Sequence, residues 1–259
     1  MIFLNSFLIF LLGASLGSFA NVCIYRLPKG KQIISGRSLC PKCKKKINWY
    51  DNLPLISFII LNRRCRNCKK IISSRYFIVE LITGITFLVI FLNFDNLYTI
   101  IFLSILALIL VMIFFIDLEN LIIPDSLNFI IMGLAILKNF LPSLNTNLVD
   151  DINQSLIGGI IGYLTIWLII FLYKAIKKID GMGLGDAKLM AGIGLLFGWQ
   201  SIPLVLFISS VLGLVFVIPS LIKKQKNIMR SEIPFGPFII ISAIIYFTIG
   251  DFLYAIILV

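Results

Sequence analysis

The chain has no histidine in its 259 residues. That absence removes Ser/His and Cys/His catalysis, and with them every His-ligated metal site. Charge is also scarce, at 14% of residues against about 25% in an average soluble domain. Acids are scarcer still, with only 12 Asp and Glu together. A surface facing water on every side cannot be built from so little polarity. What is present is 59% apolar, with a mean hydropathy of +1.04. The apolar runs approach the ~20-residue length that crosses a bilayer. The fold class that follows is an all-α polytopic membrane protein.

The apolar segments fall at about 2–24, 76–93, 98–116, 126–141, 156–173, 187–198, 200–221 and 236–257. This predicts about eight transmembrane helices, of which 187–198 is the shortest. Between the first and second lies a polar, basic stretch. The expected domains are therefore a first transmembrane helix (1–25), a small cytoplasmic domain (26–75) and a transmembrane core (76–259). No charge precedes the first segment, whereas Arg26, Lys29 and Lys31 follow it. A cleavable signal peptide has the reverse order, so a retained helix is expected. Gly13, Ala14, Ser15, Gly17 and Ser18 give it small residues for close packing.

The net charge is +11. If the N-terminus lies outside, 22 of the 23 Lys and Arg fall in or beside inner loops, leaving only Lys138 near an outer one. Asp95, Asp150, Asp151 and Asp251 mark the outer side. The positive-inside rule accounts for this pattern, with both termini outside and 26–75 in the cytoplasm. No nucleic-acid partner is needed to explain the basicity; the expected surroundings are a lipid bilayer.

Four of the five cysteines form two CxxC pairs, Cys40 with Cys43 and Cys65 with Cys68, separated by 21 residues. Two such turns can present four thiolates tetrahedrally, the arrangement of structural zinc. Disulfides are disfavoured on the reducing side of a membrane, and redox chemistry would not need a second copy. Nearby Lys and Arg are expected to lower the thiol pKa values. A 50-residue loop has little core, so metal would supply folding energy. Cys23, within the first helix, reads as packing. Glu80 sits just inside the second span, where an ionisable group is either functional or neutralised by an arginine.

Few acids lie near the inner membrane edge. Asp117 and Asp125 are eight residues apart, about 12 Å along a continuous helix, and Pro124 interrupts that helix. Asp186 follows a glycine-rich run, Gly181-Met182-Gly183-Leu184-Gly185. Glycine permits unusual backbone conformations and close approach of another segment. Asp186 is either a helix N-cap or a catalytic carboxylate, paired with one from the Asp117 region. Two close carboxylates share a proton, one activating water and the other polarising a carbonyl. The alternative is a set of salt-bridged acids, with Lys188 and Lys178 as partners.

With these motifs in order, the chain resembles the type IV prepilin peptidases, membrane aspartic proteases of the GxGD class. The resemblance runs over nearly the whole chain. It is carried by Gly17-Ser18-Phe19-Ala20-Asn21-Val22, Tyr25-Arg26-Leu27-Pro28, the double CxxC, Asp117 to Asp125, and Gly181 to Leu189. It implies that Asp117 and Asp186 are catalytic, with Asp125, Gly183, Gly185 and Lys188 supporting them. It implies prepilin and pseudopilin substrates cut at the cytoplasmic face of a bacterial inner membrane. It also implies N-methylation of the new N-terminus from S-adenosylmethionine, with Glu80 either taking part or structural. No strand followed by a GxGxxG turn is present, so the methyl-donor site is not placed by sequence. A proton-coupled carrier would show inverted repeats, and none is found. A non-catalytic secretion scaffold would need neither aspartate, and a peptidase without methylation is the nearest rival.

Overall fold

The computed structural model describes residues 2–33, 39–40, 42–140, 144, 146, 148–178, 182–222 and 233–257. Gly181 and the basic residues Lys223, Lys224, Lys226 and Arg230 lie outside the described residues. Among the described residues the chain is helical, with no strand and two isolated antiparallel bridges, Leu39 with Lys46 and Arg64 with Ile71. The α-helices are α1 (Ile2–Arg26), α2 (Ile56–Ile60), α3 (Arg75–Asn93), α4 (Leu97–Asn120), α5 (Asp125–Leu137), α6 (Ile152–Lys177), α7 (Leu184–Phe197), α8 (Ser201–Ile222) and α9 (Gly236–Ile257). Each apolar segment of the sequence coincides with one helix. Five of the described helices (α1, α3, α4, α6 and α8) are long and apolar enough to cross a membrane.

The chain forms two compact units, Met1–Met112 and Ile113–Val259, with the boundary inside α4. In the first unit α1 packs along α3. A Cβ on Gly17 would fall 2.0 Å from Thr83 Oγ1, and one on Gly13 would fall 2.8 Å from the Thr83 carbonyl. Missing side chains therefore set how closely these helices approach. Ala14 is buried in the same seam. Ser15 is not: it is exposed and its hydroxyl bonds back to the Leu11 carbonyl at 2.8 Å. Cys23 is buried, consistent with packing.

In the second unit the shortest apolar segment is the core. From Asp186 to Phe197, every residue of α7 except Lys188 is buried. A helix apolar on all sides belongs inside its neighbours, and its 14 residues span about 21 Å, less than the ~30 Å hydrocarbon layer. α5, α6, α8 and α9 pack around it. Its closest neighbour is α6, where Gly158 and Gly194 meet backbone to backbone. A Cβ on Gly158 would sit 2.2 Å from the Gly194 carbonyl oxygen, and one on Gly194 would sit 2.1 Å from that of Gly158. Lys138, which the charge pattern expects near an outer loop, is buried and bonded to the Val149 carbonyl and to Asn139 Oδ1. Its ammonium finds these acceptors within the fold.

Candidate active site

α4 ends one turn after Asp117. Leu121 takes a left-handed conformation (φ 58°) and its N–H closes onto the Asp117 carbonyl at 2.9 Å. Pro124 then occupies the N-cap of α5 with Asp125 as the first helical residue, a position where proline's missing N–H costs nothing. The expected interruption between Asp117 and Asp125 is therefore present. It places the two acids on different helices.

Asp117 is 4% exposed. Its Oδ2 accepts the backbone N–H of Gly236, at the start of α9, at 2.9 Å. Asp186 is 8% exposed and stands in the first turn of α7. The N-cap of that helix is Gly183, with extended backbone (φ −82°, ψ 148°) and no capping side chain. Asp186 is thus not the N-cap. Its Oδ2 turns back toward the Gly183 backbone, while Oδ1 has no hydrogen-bond partner among the described residues. Asp117 lies close enough to Asp186 for its charge to act there. The fold brings two buried carboxylates together and leaves one oxygen unfilled. A buried polar atom without a partner points to something that the folded chain alone does not supply.

The surrounding residues separate into two kinds. Asp125 and Lys188 form an ion pair of 2.7 Å at the margin, so Lys188 neutralises Asp125 rather than either buried acid. Gly185 makes a close approach: a Cβ there would lie 3.0 Å from the Cβ of Ile123. Neither Gly183 nor Gly185 has a positive φ, so of the two reasons expected for glycine only close approach applies, and only at Gly185. Two participants escaped the sequence reading. Gly236 holds Asp117, and fully buried Asn128 donates from Nδ2 to the Gly185 carbonyl at 3.2 Å. For Gly236 a signal existed in Ile233-Pro234-Phe235-Gly236-Pro237, a punctuated helix start. For Asn128 the only hint was an amide in an apolar helix.

In the first unit, Cys40, Cys43, Cys65 and Cys68 form a cluster whose sulfurs all lie within 4.8 Å of one another. Cys40 and Cys68 are 4.0 Å apart, close to the ~3.8 Å edge of a tetrahedron with metal–sulfur bonds of about 2.3 Å. The two knuckles repeat one another. The backbone N–H groups of Lys44 and Lys69 donate to the Cys40 and Cys65 carbonyls at 2.9 Å, and those of Cys40 and Cys65 donate to the Lys45 and Lys70 carbonyls at 3.0 Å. Lys44 and Lys69 share a positive φ of 58° and 56°. The Cys65 thiol is lowered to about 7, first by the Cys68 backbone N–H and also by that of Asn67. The expected Lys and Arg side chains are not its cause. Cys43 is drawn down by the Lys45 backbone, yet desolvation and its three neighbouring thiols raise it to about 11. Four thiols this close cannot all ionise without a cation among them.

A cavity of about 830 Å³ adjoins this cluster, lined by α1, α3 and the cysteine segment. Glu80, 8% exposed, accepts the Leu55 N–H on Oε2 at 2.8 Å, and the Ser18 hydroxyl also bonds to it. Among the described residues Glu80 is therefore held by neutral donors, not by the arginine expected as an alternative. Asn21, 2% exposed, donates from Nδ2 to the Tyr76 carbonyl at 3.0 Å. Its Oδ1 has no partner among the described residues. Arg66 grips Asp51 with both nitrogens, at 2.7 and 3.0 Å, joining the second knuckle to the 3-10 turn Trp49–Asn52.

Known proteins match this architecture in sequence. Residues 11–94 match the model of the bacterial peptidase A24 N-terminal domain, and residues 104–218 match that of the type IV leader peptidase family. The prepilin leader peptidase/N-methyltransferase of Vibrio cholerae is 36% identical, over 90% of this chain and 92% of its own length. That of Aeromonas salmonicida is 32% identical over 94% and 90%, and that of Neisseria gonorrhoeae 30% identical over 93% and 89%. No solved structure gives a significant match. With two family models in tandem and relatives aligned over almost their full length, the chain belongs to the type IV leader peptidase family.

Proposed function

We propose that this protein cleaves the basic leader from prepilins and pseudopilins at the cytoplasmic face of a bacterial inner membrane and then N-methylates the new N-terminus. The observation that carries the cleavage reading is the pair of buried carboxylates, Asp117 and Asp186, one with an oxygen left unfilled. Of the two, the ionised group takes a proton from water and the protonated group donates to the scissile carbonyl. Water oxygen bonds to the carbonyl carbon. Collapse then breaks the C–N bond as the first carboxyl returns its proton to the leaving nitrogen and the second takes one back from the diol, leaving a carboxyl group on the leader and an amine on the pilin. Gly236 holds Asp117 in place through its N–H. Asn128 fixes the Gly185 carbonyl beside Asp186. Asp125 and Lys188 support the site's edge without entering the chemistry.

The four thiols fit a tetrahedral metal, and zinc is the ion we assign to them. On this reading 26–75 is a cytoplasmic zinc domain, 76–259 is the peptidase core, the eight apolar helices all serve as membrane segments and both termini face outside. Methylation requires S-adenosylmethionine, which when bound supplies a methyl group carried on a sulfonium. The first unit has the means to hold it: a roomy cavity and a buried carboxylate.

The test is cleavage of a prepilin-like substrate in liposomes by wild type, Asp117→Asn and Asp186→Asn. Loss of cleavage in both variants, with helicity and melting unchanged, is the expected result. Cleavage retained by either variant would remove that carboxylate from the mechanism. An inactive wild type across several leaders would overturn the reading.

A further inference from the structure

We infer that Ile123 is a positioning residue for cleavage, a wedge that sets the separation of the Asp117 and Asp186 carboxylates. The inference rests on the two-carboxylate reading. Ile123 packs against both halves of the site, all within the second unit. A Cβ built on Gly185 would lie 3.0 Å from Ile123 Cβ, and one built on Gly236 would lie 3.0 Å from Ile123 Cδ1. One isoleucine side chain therefore fills the space that two glycines leave empty. Each of those glycines governs one carboxylate. Gly185 directly precedes Asp186 in the first turn of α7, and Gly236 donates its N–H to Asp117 Oδ2 at 2.9 Å. A shift of Ile123 against either segment moves one carboxylate relative to the other.

The local sequence makes this side chain stiff. Asp117 begins the last turn of α4, which Leu121 closes with φ 58° and an N–H bonded back to the Asp117 carbonyl. Ile123 follows, and then Pro124 as the N-cap of α5. A residue before proline is held to extended backbone, and a β-branched side chain is restricted at χ1. Pro124 is itself anchored, since its carbonyl accepts the Leu127 and Asn128 N–H groups at 3.1 and 3.3 Å. The same segment also holds Gly185 by attraction, through Asn128 Nδ2 and the Gly185 carbonyl at 3.2 Å. Asn128 pulls on the strip of chain that Ile123 pushes, so Gly185 has a defined seat. At Gly236, Ile123 Cδ1 and Asp117 Oδ2 crowd the same missing side chain, 3.0 and 2.8 Å from where its Cβ would stand. Ile123 is only half-buried, so trimming it changes this spacing without opening a deep cavity.

The experiment measures kcat and KM for cleavage of a prepilin-like substrate in liposomes, with melting temperature as the folding control. The variants are Ile123→Val, Ile123→Ala, Gly236→Ala and the double variant Ile123→Val/Gly236→Ala. Valine lacks only Cδ1, the atom that meets Gly236, whereas alanine keeps nothing beyond Cβ. Because a misplacement near 1 Å costs about 100-fold in rate, kcat should fall about 3- to 10-fold in Ile123→Val and about 30- to 100-fold in Ile123→Ala, with KM within about twofold of wild type. The double variant separates positioning from packing. In Gly236→Ala the new Cβ is caught between Asp117 Oδ2 and Ile123 Cδ1, and removing Cδ1 gives it room to move off the carboxylate. The double variant should therefore turn over about fivefold faster than Gly236→Ala alone, a coupling expected only of residues in contact. A double variant no faster than Gly236→Ala would overturn the wedge. So would wild-type kcat in Ile123→Ala while Asp117→Asn stays inactive. A raised KM at unchanged kcat would make Ile123 a substrate contact and overturn it too. If Ile123→Ala does not fold, Ile123→Val and the double variant decide. An inactive wild type, or cleavage retained by Asp117→Asn, would overturn the two-carboxylate reading and this inference with it.

Discussion

The backbone N–H of Gly236 reaches across to the buried Oδ2 of Asp117 at 2.9 Å, so the first residue of α9 positions a carboxylate at the end of α4. A Cβ added at Gly236 would lie 2.8 Å from that same oxygen. Gly236→Ala should displace the carboxylate without a buried cavity or an unpaired charge. A misplacement near 1 Å costs about 100-fold in rate. The check is cleavage kinetics at saturating substrate, with melting as the folding control. Wild-type turnover would show that this contact does not position Asp117.

The Asp125–Lys188 pair calls for a smaller effect. Its side chains are 57% and 26% exposed, and pairs of that kind contribute about 0.2–1 kcal/mol. Lys188→Met and Asp125→Asn should each lower stability by no more than about 1 kcal/mol. Cleavage should fall far less than in Asp117→Asn. A double-mutant cycle on melting in detergent measures the coupling, and a loss of cleavage equal to that of Asp117→Asn would move Lys188 or Asp125 into the chemistry itself.

Cys43→Ser removes one of four donors from a cluster whose sulfurs all lie within 4.8 Å of one another. Elemental analysis should give about one zinc per wild-type chain and a marked loss in the variant. Limited proteolysis should then cut within 26–75, because a small domain with little core depends on its metal to fold. Equal zinc in both proteins would refute the four-thiolate site.

The Gly158–Gly194 contact sets the packing of α6 on α7. Gly158→Ala should destabilise by about 1–3 kcal/mol through overpacking, because the backbone carbonyl it meets has no rotamer to escape into. Thermal unfolding in detergent is the measurement. An unchanged melting temperature would mean that the two helices can separate at little cost.

Much of this fold was legible because membrane segments announce themselves by length and apolarity. Each apolar segment became a helix, and Pro124 broke the chain where expected. The paired cysteines also came together, since a CxxC turn is local and two of them need only one meeting. What was not legible was contact between distant segments. Gly158 and Gly194 look like any glycines in apolar runs until their backbones touch. Gly236 and Asn128 act through a backbone N–H and a side-chain amide on residues more than 50 positions away, where no spacing rule applies. Ser15 shows the opposite failure. It shares a small-residue cluster with Gly13 and Gly17, yet it is exposed and turned back onto its own helix. At Cys65 the source was misjudged: backbone N–H groups, invisible in residue chemistry, replace the lysines and arginines that composition suggests.

The donor that Gly236 provides lies 119 residues after its acceptor. During synthesis, Asp117 therefore emerges, inserts and waits while α5 to α8 are made, and acquires its anchor only when α9 arrives. The last helix acts as a commissioning step: a chain interrupted before it contains both aspartates and still lacks an assembled site. A ribosome-bound or truncated chain ending before Gly236 should be inert toward prepilin. In a membrane crowded with apolar helices, that delay would keep a newborn protease from cutting before it is complete.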